Sequence, residues 1–158
     1  MSKKTNAIRI LERQGIAFET AAYTYDAEEG LSVALIAQAN GLPLERIFKT
    51  LVAKGDKTGL AVALVPGDSE LDFKALAKAS GNKKMALVPV KDIQPLTGYI
   101  RGGCSPIGMK KDYPVFIDAS AQEHEQIYVN AGQRGLLLLL RPSDLQQATR
   151  GAFVALAG

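Results

Sequence analysis

Tryptophan is absent from the 158 residues, and cysteine and histidine occur once each, as Cys104 and His124. A lone thiol cannot close a disulfide within the chain, and one thiol with one imidazole is no ligand set for zinc or an iron centre. Long apolar runs are also missing: stretches such as Leu136 to Leu140 are strand-sized, short of the roughly 18 residues a membrane helix requires. The basic start, Met1 to Asn6, is followed by Arg9, Glu12 and Arg13, not by the apolar core of a secretory leader. The chain is therefore expected in the cytoplasm, with no metal, cofactor or membrane association. The familiar nucleotide and hydrolase signatures are lacking too: no glycine-rich loop ending in Lys-Ser or Lys-Thr, no paired-glycine dinucleotide fingerprint, no nucleophile elbow.

What is present is an ordinary globular balance, 47% hydrophobic with 22% charged residues, far from the composition of disordered chains. The length suits one domain spanning residues 1–158. A net charge of +3 fits an anionic partner without specifying one.

Helical spacing with glycine stops predicts helices over Thr5 to Gln14, Ser32 to Ala39 and Asp72 to Ser80. A shorter helix is expected over Val90 to Leu96 and a last one over Ser143 to Thr149. Ile16 to Tyr25 reads as a strand that leaves into the turn-rich Asp26 to Gly30, with Tyr23 near its end. Arg46 to Ala53 and Leu60 to Val65 read as a hairpin around Lys54 to Gly59. Met85 to Val88, Val115 to Asp118, Gln126 to Asn130 and Leu136 to Leu140 are further strands. Gly98 to Gly108, with four glycines and a proline, reads as a loop. Interleaved helices and strands without a repeat predict one α/β domain with a mixed sheet closing toward a barrel.

Three features carry possible chemistry. Lys49 interrupts the apolar run Ile47 to Val52; the pattern alone favours simple alternation on a half-exposed strand, the alternative being a pocket where its ammonium would hold a phosphate or an acyl oxygen. Gly102 and Gly103 allow close main-chain approach to a ligand carbonyl, or only a tight turn. Cys104 lies in the same loop but has no histidine nearby in sequence to activate it, and His124 sits in the charged stretch Gln122 to Glu125, typical of a surface.

Taken together, certain motifs resemble the YbaK/EbsC family of aminoacyl-tRNA deacylases, in particular the bacterial Cys-tRNA(Pro) deacylases. They are Phe48-Lys49-Thr50-Leu51, Leu71-Asp72, Gly81-Asn82-Lys83-Lys84, Thr97-Gly98-Tyr99, Gly102-Gly103 with Ser105-Pro106, Ile117-Asp118, Ile127-Tyr128-Val129 and Gly132-Gln133-Arg134-Gly135-Leu136. The resemblance implies a mixed α/β fold related to the editing insertion of prolyl-tRNA synthetases, acting in trans on tRNA that carries the wrong amino acid. It places Lys49 on the family's essential lysine and Tyr23, Thr50, Gly102, Gly103 and Asn130 around the aminoacyl-adenosine end. The thiol of the substrate cysteine is expected to attack its own ester, so no protein nucleophile is needed. Aminoacyl-tRNA is the expected partner, with Lys83, Lys84, Lys110, Lys111 and Arg134 toward the acceptor stem. Prolyl-tRNA synthetase is a further expected partner. Two positions depart from the family pattern: Asn130 replaces a serine, and Leu137 replaces an acidic residue. They leave open a sibling deacylase with another amino-acid target, or a non-catalytic module that binds tRNA or a synthetase.

Overall fold

The expected hairpin is the spine of the molecule. In the computed structural model, which describes residues 4–26, 28 and 32–158, β2 (Phe48–Gly55) and β3 (Gly59–Pro66) pair antiparallel along their full length, Phe48 opposite Pro66 and Gly55 opposite Gly59. β4 (Met85–Leu87) extends the sheet beside Ala53 to Gly55, while β5 (Val115–Asp118) and β8 (Ala152–Val154) add parallel on the far side, giving the order β4-β2-β3-β5-β8. The expectation of one sheet closing toward a barrel is corrected here. β1 (Glu19–Ala22), β7 (Leu136–Leu140) and β6 (Ile127–Asn130) form a separate three-stranded antiparallel sheet, and neither sheet closes. A parallel bridge, Ile47 to Tyr128, links the two.

Among the described residues five helices surround these sheets: α1 (Asn6–Arg13), α2 (Val33–Asn40), α3 (Phe73–Ser80), α4 (Val90–Thr97) and α5 (Pro142–Thr149). Thr5 caps α1 by accepting from the Ile8 amide, and Asp72 caps α3 by accepting from the amides of Lys74 and Ala75. Gly41, Gly81 and Gly98 close α2, α3 and α4 in the left-handed conformation. Of the turn expected from Asp26 to Gly30, Ala27, Glu29 and Gly30 lie outside the described residues, as do Met1 to Lys3.

Helices cover both faces of the five-stranded sheet, which is why β3 reads as an almost unbroken apolar run. On one face Val62, Leu64, Val115 and Ile117 meet Leu11 of α1, Leu145 of α5 and the inward residues Ile127, Val129, Leu138 and Leu140 of the smaller sheet. On the other, Ala53, Ala63 and Val65 meet Leu76 of α3 and Leu156. Each large side chain buried here contributes about 1.5–3 kcal/mol. The two layers leave β2 with one edge unpaired below Ala53, and the candidate site forms along that edge.

Candidate functional site

Val52 fixes the orientation of the free edge. Its carbonyl accepts from the Val88 amide at 3.0 Å on the side away from β3, whereas the Ile47 carbonyl accepts from Gly67 at 2.7 Å on the β3 side. Alternate residues of a strand turn their main-chain groups the same way, so the N–H and C=O of Thr50 point outward where β4 no longer pairs. The Thr50 hydroxyl is buried and has no hydrogen-bond partner. A buried polar atom left unpartnered is costly, about 1–3 kcal/mol.

The recess along this edge has a volume of about 480 Å³. It gathers Tyr23, Lys49, Thr50, Gly102 and Asn130, five of the six residues expected from the sequence. It also takes in Val33 and Ile36 of α2, Leu87, Val88, Val90 and Ile93 around the β4–α4 turn, and Arg101, Cys104 and Leu137. Among the described residues, Lys49 and Arg101 are its charged side chains, and no Asp or Glu lines it. A second recess of about 510 Å³, between α1, the segment around Met109 and the end of α5, holds none of those six residues.

The sixth, Gly103, is placed differently. It is buried under the late turn, where a Cβ would come within 3.1 Å of the Gln133 and Arg134 main chain, and its N–H donates to Ile100 at 2.9 Å. Only glycine lets the two loops meet so closely; the residue shapes the loop and has no amide free for a ligand. Gly102, at φ +81°, turns its carbonyl to the Asn130 side-chain amide at 2.8 Å. Asn130 also accepts from the Gly132 amide at 2.7 Å. Its side chain thus ties the glycine loop to the end of β6, a bridge requiring both a donor and an acceptor.

Further motif residues brace this loop from behind. The Thr97 hydroxyl donates to Ile93 and accepts from the Tyr99 amide, and the Tyr99 hydroxyl donates to the Ile107 carbonyl at 2.6 Å. Burial pushes the Tyr99 phenol up to about 12. Cys104 packs against Val52 and Tyr99; burial pushes its thiol up to about 11, partly offset by a contact with the Thr97 hydroxyl. Such a thiol is inert near neutral pH. The Tyr23 phenol is likewise raised, first by burial, with Gly135 and the Arg134 charge working the other way. His124 lies outside the recess. Among the described residues the site therefore offers positive charge and polar groups, with no activated nucleophile or carboxylate base.

Asn130 and Leu137, the two departures from the expected pattern, are directly paired across β6 and β7 and both line the recess. Their Cβ atoms are thus about 4.5–5.5 Å apart, so they alter one patch of wall. The apolar contribution of α2 and of the β4–α4 turn was not legible in the sequence; its one signal is the weak polar face of Val33 to Asn40.

The profile of the aminoacyl-tRNA editing domain matches residues 27–148. The chain belongs to the aminoacyl-tRNA editing-domain family. EbsC of Enterococcus faecalis, provisionally named a Cys-tRNA(Pro)/Cys-tRNA(Cys) deacylase, is 46% identical over 151 residues, covering 96% of this chain and 92% of that one. The proline–tRNA ligase of Thermosipho africanus is 34% identical over 80 residues, which cover 51% of this chain and 14% of the ligase. A crystal structure provisionally described as a trans-editing enzyme for prolyl-tRNA synthetase shares the fold, with a TM-score of 0.83 at 24% identity and 99% of each chain covered. Among the described residues no helix is long and apolar enough to cross a membrane.

Proposed function

We propose that this member of the editing family removes cysteine from Cys-tRNA(Pro) in trans, and that the thiol of the substrate is the nucleophile. One observation carries the reading: a recess with a cation and one unpartnered hydroxyl but, among the described residues, no activated nucleophile and no carboxylate base. The cysteine sulfur, once deprotonated, attacks the carbonyl carbon of its own ester. A C–S bond forms, the ester C–O bond breaks, and the 3′ oxygen leaves with a proton equivalent to the one the thiol released. The resulting cyclic thioester is then opened by water to free cysteine.

Lys49 holds the carbonyl oxygen as its negative charge develops, the kind of preorganised stabilisation that is worth about 10²- to 10³-fold in rate per donor. Thr50 provides its hydroxyl and outward main-chain groups to hold the aminoacyl-adenosine. Tyr23 and Gly102 form the walls, and Asn130 lines the recess while keeping the Gly102 loop in place. The substrate stays in a near-attack geometry. EbsC, by its name, points to the same amino acid. Prolyl-tRNA synthetase is the proposed source of the mischarged tRNA and the partner that would confer tRNA selectivity.

The test is amino-acid release from Cys-tRNA(Pro) and Ala-tRNA(Pro) by wild type and Lys49→Ala. Fast cysteine release that falls about 100- to 1,000-fold in the variant is expected; no release by wild type from either substrate overturns the proposal. The Asn130–Leu137 pair favours a second reading, a sibling specificity, and release from Ala-tRNA(Pro) with Cys-tRNA(Pro) untouched would establish it.

A further inference from the structure

The wall of the recess at Tyr23 continues outward onto an exposed aromatic side chain. Tyr25 follows two residues later; the two ring centroids are 6.0 Å apart and tilted by 57°. Tyr23 is 8% exposed and Tyr25 41%, so the pair runs from inside the recess to open solvent. The Tyr25 ring is backed by Gly135, at φ +89°, where a Cβ would lie 3.5 Å from its Cε1. Arg134, the preceding residue, donates its Nε–H to the Arg101 carbonyl at 2.9 Å, and Arg101 lines the recess. Among the described residues neither arginine is in an ion pair, and the Nη groups of Arg134 meet no acceptor.

An exposed ring with two arginines on the adjoining loops, neither in an ion pair among the described residues, is a combination that holds single-stranded nucleic acid. The base stacks on the ring, and the cations meet the backbone. Nothing in this group reads a base edge. A paired stem is a poor occupant, because its bases are already stacked on one another.

We propose that Tyr25, Arg134 and Arg101 form a nucleotide subsite continuous with the recess. It takes the unpaired nucleotide that precedes the terminal adenosine of the tRNA, with its base on the Tyr25 ring and its phosphate between the two guanidinium groups. This rests on the recess being the aminoacyl-adenosine site.

The test compares kcat/KM on Cys-tRNA(Pro) with kcat/KM on 3′-cysteinyl-adenosine, which lacks the preceding nucleotide. The ratio of the two is expected to fall about tenfold in Tyr25→Ala, through KM, and to be retained in Tyr25→Phe. A ratio in Tyr25→Ala equal to that of wild type overturns the subsite. In parallel, binding of a fluorescein-labelled single-stranded RNA ending in CCA should weaken in Tyr25→Ala, and Arg134→Gln should lower the salt slope by about 0.7. If wild type cleaves neither ester, the deacylase reading falls and the binding measurement decides alone. Affinity that depends on Tyr25 then supports the subsite, and equal affinity of wild type and Tyr25→Ala overturns it.

Discussion

Asn130 shows how much one side chain can fix. Its amide donates to Gly102 and its oxygen accepts from Gly132, so the glycine loop at the recess is tied to the end of β6. Asn130→Ala leaves both main-chain groups without that partner, at about 1–3 kcal/mol each where they stay buried. We expect a lower Tm and a raised KM for aminoacyl-tRNA. Asn130→Asp keeps the acceptor but loses the donor, and should fall between. Cys104 makes the opposite point. Its thiol is pushed up to about 11, so Cys104→Ala should keep cysteine release. The rate should rise with pH through the thiol range of the substrate in both proteins, since that sulfur supplies the nucleophile. A pH profile lost in Cys104→Ala would show that the protein thiol takes part.

Among the elements, the hairpin and the carboxyl end of β5 are each held by one buried polar side chain. The Asn82 side chain accepts from the Lys57 and Thr58 amides and donates to the hydroxyls of Thr58 and Ser80, and a Cβ at Gly55 would collide with it at 2.2 Å. This gives the Gly81-Asn82 motif a structural meaning that the sequence did not reveal.

Asp118 accepts from Leu156 at 2.7 Å and Ala157 at 2.9 Å, and from Ser120 through both its amide and its hydroxyl. Burial pushes the carboxyl up, but these donors outweigh it and hold it below its ordinary 3.8. A carboxyl depressed in the folded state adds stability that is complete above its unfolded value and is lost as pH falls through the folded value. Denaturant melts should therefore show wild type weakening below about pH 4, and Asp118→Asn, weaker at pH 7, should lose less over that same interval.

Local signals made most of these elements legible. Asp72 and Gly81 bound α3, and the Lys54 to Gly59 turn marks the hairpin. The short β8 was not foreseen, because its pairing with β5 joins residues far apart in the chain. The separation into two sheets was hidden for the same reason: nothing between Ile127 and Leu140 states which strand lies beside it. Lys49 was legible as an oddity in an apolar run. That the hydroxyl of Thr50, its neighbour, would be buried without a partner was not, since that depends on which side chains the fold packs around it.

At the scale of the whole molecule, the net charge of +3 is spread over lysines that are mostly exposed. Lys83 and Lys84 leave the hairpin end with their amides held by Asp56 and their side chains in solvent. If they meet the acceptor stem, KM on full-length aminoacyl-tRNA should rise with ionic strength while KM on the adenosine ester changes far less, and Lys83→Ala with Lys84→Ala should flatten the first dependence. A dependence unaltered by the double variant would move the stem to another face, such as that of Lys110 and Lys111.

The unpaired margin of β2 has a further meaning. An exposed strand edge is a template on which another chain can add, the usual route to unwanted aggregation. Here that margin is recessed beneath the apolar residues of α2 and of the β4–α4 turn, so the concavity proposed for the aminoacyl end of a tRNA also shields the chain from its own copies. Substitutions that loosen α2 should therefore first appear as self-association, and a bound substrate fragment should suppress it.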